Sequence, residues 1–110
     1  MFYFMNAISA QSLPSIGVLR FEKFSPAEFF SNDLNKLIPT LWESAIGHEN
    51  VSEYASDLLG FNIPMNRRNI QLQIGDRGII FQYSGPRLEE GAKALPEWAK
   101  YELIMFSIVD

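Results

Sequence analysis

"MFYFMNAISA" (residues 1–10) is the stretch on which the fold turns. Residues 1–5 are apolar throughout and rich in aromatics, which favour extended backbone. A strand apolar at successive positions is predicted to be buried on both faces. The run stops at Asn6, and "NAISAQSLPS" (6–15) reads as a polar, turn-rich exit. Small polar groups at a strand's end are where ligands meet sheets in α/β folds. Asn6, Ser9 and Gln11 are therefore candidate ligand contacts, set against the plainer reading that they satisfy turn backbone.

Outward from this strand, Ile16 to Phe24 reads as a second strand, in which Arg20, Phe21 and Glu22 alternate and predict one solvated face. Ser25, Pro26 and Glu28 form an S-x-x-E capping box with proline at the first helical position. Ala27, Phe30, Leu34 and Leu37 then fall on one helical face, and Pro39 ends the helix. A second helix is predicted from an Asn50 cap, with Glu53 three residues on. Val51, Tyr54, Ala55, Leu58 and Leu59 supply its apolar stripe and Gly60 its stop. "NIQLQIGDRGIIFQYS" (69–84) reads as a hairpin: Ile70, Leu72 and Ile74 alternate, "GDRG" turns, and Ile79, Phe81 and Tyr83 return. "GPRLEEG" (85–91) is a loop, residues 96–101 a short helix, and Leu103 to Val109 a closing strand. The elements add up to one α/β or α+β domain over residues 1–110, with about five strands.

Composition narrows the chemistry. The 110 residues suit a single domain, and 47% hydrophobic with 20% charged residues is an ordinary globular mix. Fifteen aromatics, nine of them Phe, predict a dense core or an apolar face that a partner covers. The absence of cysteine removes disulfides, thiolate nucleophiles and Cys-based zinc sites. One histidine rules out a His cluster for a metal within a single chain. The start of the chain lacks a basic n-region, so it reads as a strand and not as a signal peptide. Without a run of ~18 apolar residues, no membrane span is expected. The net charge of −4 argues against binding to a nucleic-acid duplex, while leaving room for a small anion held by local arginines.

His48, in "SAIGHEN" (44–50), is placed two residues before the expected Asn50 cap. First-turn N–H groups lack intrahelical partners, and the helix dipole is positive at that end, so an anion can dock there. The plain reading of a lone histidine is an imidazole bonded to a nearby carbonyl. The functional one is a general acid beside a bound phosphate, whose charge favours the imidazolium. Gly47 leaves room for a tight turn or for a ligand's close approach. Arg67, Arg68 and Arg87 are solvated surface groups on one reading and phosphate forks on the other. Glu89 and Glu90 either pair with arginines on the surface or orient an arginine, a ribose hydroxyl or water. No Walker loop, G-x-G-x-x-G, G-x-S-x-G or H-E-x-x-H is present.

Taken in order, "MNAIS" (5–9), "AIGH" (45–48), "LLG" (58–60), "NR" (66–67), "GD" (75–76) and "RLEEG" (87–91) resemble a small family of viruses and mobile elements. That family was first catalogued as a domain of unknown function. Its members include type III anti-CRISPR ring nucleases. Residues 10–43 resemble it only loosely. The resemblance implies a mixed sheet flanked by helices and a symmetric homodimer. Cyclic tetraadenylate would be bound across the two-fold axis and cleaved without metal or other cofactor. It further implies that a ribose 2′-hydroxyl attacks the adjacent phosphorus, leaving a 2′,3′-cyclic phosphate. His48 would be the general acid and Glu90 would organise the site beside it. Arg67 and Arg87 would hold phosphates, Asn6 and Ser9 would orient ribose or phosphate, and Gln11 would be a weaker contact. Gln82 is the nearest match to a ligand-contacting glutamine. Gly85 and Pro86 make the loop before Arg87 longer than the family's. A host-cell cytoplasmic location follows if the chain is encoded by a virus or prophage. Two other readings compete: a non-catalytic cyclic-nucleotide or nucleic-acid binding protein, and a protein-interaction role for the aromatic surface.

Overall fold

The first strand, β1 (Phe2–Met5), lies inside a five-stranded mixed sheet of order β2-β5-β4-β1-β3. The computed structural model describes residues 1–83 and 101–110. The predicted loop at 85–91, with Arg87, Glu89 and Glu90, lies outside the described residues, as does the predicted helix up to residue 100. Parallel neighbours flank β1: β3 (Glu43–Ala45) pairs Met5 with Ala45, and β4 (Arg77–Tyr83) pairs Tyr3 with Gly78. On the other side of β4, β5 (Tyr101–Val109) runs antiparallel, and β2 (Val18–Phe24) closes that edge, also antiparallel.

Each face of the sheet has its own core. Phe2, Phe4, Ile79, Phe81, Tyr101 and Leu103 pack with Phe29 of α1 (Pro26–Ser31) and with Val51, Tyr54 and Ala55 of α2 (Glu49–Leu59). Phe4 is fully buried, with Phe2 and Trp42 edge-on to it at centroid distances of 5.4 and 5.1 Å. Met5, Ala45, Ile80, Ile104, Phe106 and Ile108 form the opposite core. Irregular chain covers it, through Ile8, Leu13, Ile70 and Leu72. The expected burial of β1 on both faces is thus met, because both faces of the interior sheet are covered.

Several local expectations need correction. The first helix ends at Ser31, because Asp33 takes a left-handed φ of 56° and Leu34–Leu37 continue only as a 3₁₀ turn. Its capping box forms as read, with Ser25 Oγ accepting from Glu28 N–H at 3.1 Å and Glu28 Oε1 from Ser25 N–H at 3.1 Å. Hydrogen bonding from the Ser25 backbone first, and from the Ser25 side chain second, holds the Glu28 carboxyl below its usual range. Pro26 and Phe29 are buried, while Phe30 and Leu37 are exposed.

The second helix starts at Glu49, so His48 and not Asn50 is its N-cap residue. Gly60 stops it at φ 83°, as expected.

The hairpin over 69–84 does not form. β4 has β1 on one side and β5 on the other, so no edge remains for a strand at 70–74. Ile70 and Leu72 still reach the core, but as irregular chain, with Leu72 N–H donating to the Ser12 carbonyl at 2.8 Å. The fifth strand is instead β3, three residues long, where the sequence predicts no strand.

Finally, β5 begins at Tyr101, the residue on which a short helix is predicted to end. Strand β2 is exposed on both faces and not on one. Leu19 and Phe21 share the face of Ile108 and Phe106, yet remain exposed at the open edge.

Candidate functional site

Because β1 and β3 are parallel and in register at Met5 and Ala45, their C-terminal ends deliver Asn6 and Gly47 side by side. Asn6 Oδ1 accepts from the Gly47 N–H at 2.8 Å. The chain after α2 returns along the outer edge of β3. Asn66 N–H donates to the Ile46 carbonyl and Asn66 Nδ2 to the Ser44 carbonyl, both at 2.8 Å. Ser44 Oγ in turn donates to the Pro64 carbonyl at 2.6 Å. This seam sets Arg67 over Gly47, and Arg67 Nε and Nη2 donate to the Gly47 carbonyl at 3.2 and 3.0 Å.

These residues enclose a cavity of about 320 Å³ at the C-terminal end of β1 and β3, lined by Asn6, Ser9, Gly47, His48 and Arg67. It lies where ligands commonly meet α/β sheets, beyond the carboxyl ends of parallel strands. His48 is exposed, in extended backbone (φ −129°, ψ 131°), and its side chain makes no capping bond to α2. Its carbonyl accepts from Ser52 N–H at 3.1 Å, so the residue is tied to the first turn through backbone alone. Arg67, Arg68 and the N-cap residue of an 11-residue helix line this space, so positive charge and a helix N-terminus lie beside it, which favours an anion.

The structure gathers five of the sequence candidates, Asn6, Ser9, Gly47, His48 and Arg67, in one cavity. Gln82 lines an adjoining, more apolar cavity of about 480 Å³, which shares Asn6 and Ser9 with the first. Gln11 sits exposed in the 3₁₀ turn Ala10–Ser12 and lines neither. Gly47 has no left-handed φ, and a Cβ there would meet Arg67 and Asn6 at an ordinary 3.6–3.7 Å. No tight turn therefore demands glycine at this position.

Arg68, one of the three arginines read as possible phosphate forks, also lines the cavity, as do Asn69 and Ser12, which sequence reading left out. Arg68 is paired with Glu43 at the start of β3. The signal for it was its place beside Arg67 in "NRRN"; what was missing was that this segment runs along β3. Among the described residues, no cluster of three His, Asp or Glu is placed to hold a metal ion. None of the described helices is long and apolar enough to cross a membrane.

A family model described as STIV B116-like matches residues 2–102. Among solved structures, the chain is similar to B116 of Sulfolobus turreted icosahedral virus (STIV). The two are 23% identical with a TM-score of 0.71, over 96% of this chain and 97% of that one. That likeness shares the fold. No curated protein matches the chain.

Proposed function

The chain belongs to the STIV B116-like family, and on that premise we propose that it is a metal-independent ring nuclease for cyclic tetraadenylate, a phosphodiesterase that counters type III CRISPR signalling. The observation that carries this reading is the convergence of Asn6, Ser9, Gly47, His48 and Arg67 on one cationic cavity. Those positions are the ones that the ordered motifs single out.

The chemistry asks for little beyond placement. A ribose 2′-hydroxyl gives up its proton to solvent water as O2′ forms a bond to the neighbouring phosphorus and the P–O5′ bond breaks. The products are a 2′,3′-cyclic phosphate and a 5′-hydroxyl. Positioning and charge stabilisation lower the barrier, and the departing O5′ needs a proton. His48 is the donor in this scheme. It is exposed to the cavity, it is the sole imidazole of the chain, and the α2 N-terminus beside it favours the phosphate negative charge. Ser9 and Asn6 offer hydrogen bonds to ribose or phosphate oxygens.

A homodimer belongs to the same proposal. At about 320 Å³ the cavity is at the small end for a ligand site, and one chain holds a fraction of a four-nucleotide ring. Two chains about a two-fold axis would offer two such cavities and two histidines. Exposed Leu19 and Phe21, beside the adjoining cavity, supply apolar surface for a second copy to cover. As a family whose namesake is a viral protein, it also suits a role in the cytoplasm of an infected host.

The test is product analysis after mixing the protein with cyclic tetraadenylate in EDTA. Linear products ending in 2′,3′-cyclic phosphate are expected. A ring left intact from pH 5 to 8 refutes the enzyme; tight binding without turnover would leave a sequestering protein in its place.

A further inference from the structure

Arg67 makes a contact that its assignment as a phosphate holder does not predict. Its Nε and Nη2, two donors on one edge of the guanidinium, both reach the Gly47 carbonyl, at 3.2 and 3.0 Å. That edge is the fork that would otherwise take two phosphate oxygens. From the other side, Asn6 Oδ1 takes the Gly47 N–H at 2.8 Å. Gly47 is therefore held at both ends of its backbone, by side chains from two separate segments. The Gly47 carbonyl belongs to the peptide plane whose other end is the His48 N–Cα bond. Holding that oxygen fixes the direction in which His48 leaves the backbone.

His48 needs such a hold. Its side chain makes no cap bond, it is exposed, and its own residue marks the change from extended chain to α2. Arg67 is itself secured by its neighbour, since Asn66 bonds to β3 through both backbone and side chain. The path from β3 through Asn66 and Arg67 to the Gly47–His48 peptide is thus made of named hydrogen bonds.

We propose that Arg67 is a positioning residue for His48: its guanidinium clamps the Gly47–His48 peptide so that the imidazole is aimed into the cavity. Its main effect is on proton delivery and not on ligand affinity. The catalytic part of this inference rests on the reading of His48 as general acid; the clamp itself does not.

The experiment compares wild type, Arg67→Ala and Arg67→Lys in single-turnover cleavage of cyclic tetraadenylate, in ring binding, and in NMR of the ligand-free protein. Both variants are expected to lose at least about tenfold in the saturated cleavage rate, the scale of a modest misplacement of a catalytic group. The ring dissociation constant should move by less than about threefold in Arg67→Lys, since the clamp edge is turned to backbone and the charge is kept. Arg67→Ala, which also removes a cation from the cavity wall, should bind somewhat more weakly. Lysine keeps the charge but not the fork, so it should fail to rescue the rate. In NMR, the Gly47 and His48 amides and the His48 ring signals should shift or broaden in both variants, with dispersion elsewhere retained. The proposal is overturned if Arg67→Lys restores the rate, or if affinity falls tenfold while the saturated rate holds. It is overturned equally if the His48 signals are unmoved. Should the wild-type protein not cut the ring, the nuclease reading fails, and the NMR comparison still decides whether the clamp exists.

Discussion

Replacing Gly78 by alanine tests the central sheet, because the added methyl has nowhere to go. Gly78 lies on β4 between Tyr3 of β1 and Phe106 of β5. A Cβ there would stand 2.0 Å from the Tyr3 carbonyl oxygen and 2.8 and 2.9 Å from two carbons of the Phe106 ring. The ring can rotate away at modest cost. The carbonyl cannot, since it belongs to an interior strand paired on both sides. Core overpacking typically costs 1–3 kcal/mol where side chains give way. Here backbone must shift, so Gly78→Ala should lose about 3 kcal/mol or more. The entropy that alanine removes from the unfolded chain offsets only about 0.4–1 kcal/mol of this. At 110 residues, 3 kcal/mol lowers the melting temperature by about 13 °C. Urea unfolding followed by tryptophan fluorescence, with the slope compared to wild type, measures it; of the two tryptophans, Trp42 lies edge-on to Phe4 and reports the core. Gly47→Ala is the control, with contacts of 3.6–3.7 Å and an expected change within about 1 kcal/mol. A loss below 1 kcal/mol at Gly78 with an unchanged slope would refute the packing argument.

His48→Ala should lower ring cleavage by about 10²–10⁴-fold while binding persists, read by product analysis and by titration with the intact ring. Phe29→Ala, which empties a fully buried site, should cost about 3–5 kcal/mol in chemical unfolding. Phe30→Ala, at 37% exposure, should cost clearly less, although both phenylalanines follow the same helix start. Ser25→Ala should lose about 1 kcal/mol through the α1 cap. The cap bonds lower the Glu28 pKa, so their contribution is present above its unfolded value and lost as pH falls through the folded one. Stability curves of wild type and Glu28→Gln should therefore converge as acid is added, and parallel curves would exclude this linkage.

Residues that make their own local structure were legible in the sequence. The Ser25–Glu28 box formed as read because both partners lie within one turn. Gly60 stopped α2 because only a left-handed residue fits there cheaply. The apolar run of β1 foretold burial on both faces. The candidate site was partly legible too: Asn6, Ser9, Gly47, His48 and Arg67 were named before any geometry brought them together. Arg87 and Glu90, carried over with them by resemblance, lie outside the described residues.

What depended on the rest of the molecule was which strand pairs with which. Alternation at Ile70, Leu72 and Ile74 reports which side chains turn inward, and Ile70 and Leu72 do. It does not report a free sheet edge, and β4 had none to offer. Glu43–Ala45 carries almost no strand signal in three residues, yet it becomes β3 because β1 has a free parallel edge. That pairing brings Asn6 to Gly47, and the Asn66 seam brings Arg67 to the same peptide. Sequence determined the chemical groups, their order and the helix ends, through interactions a few residues long. Tertiary structure alone decided that Arg67 grips backbone and that Arg68 joins the cavity, because both depend on contacts between segments some twenty residues apart.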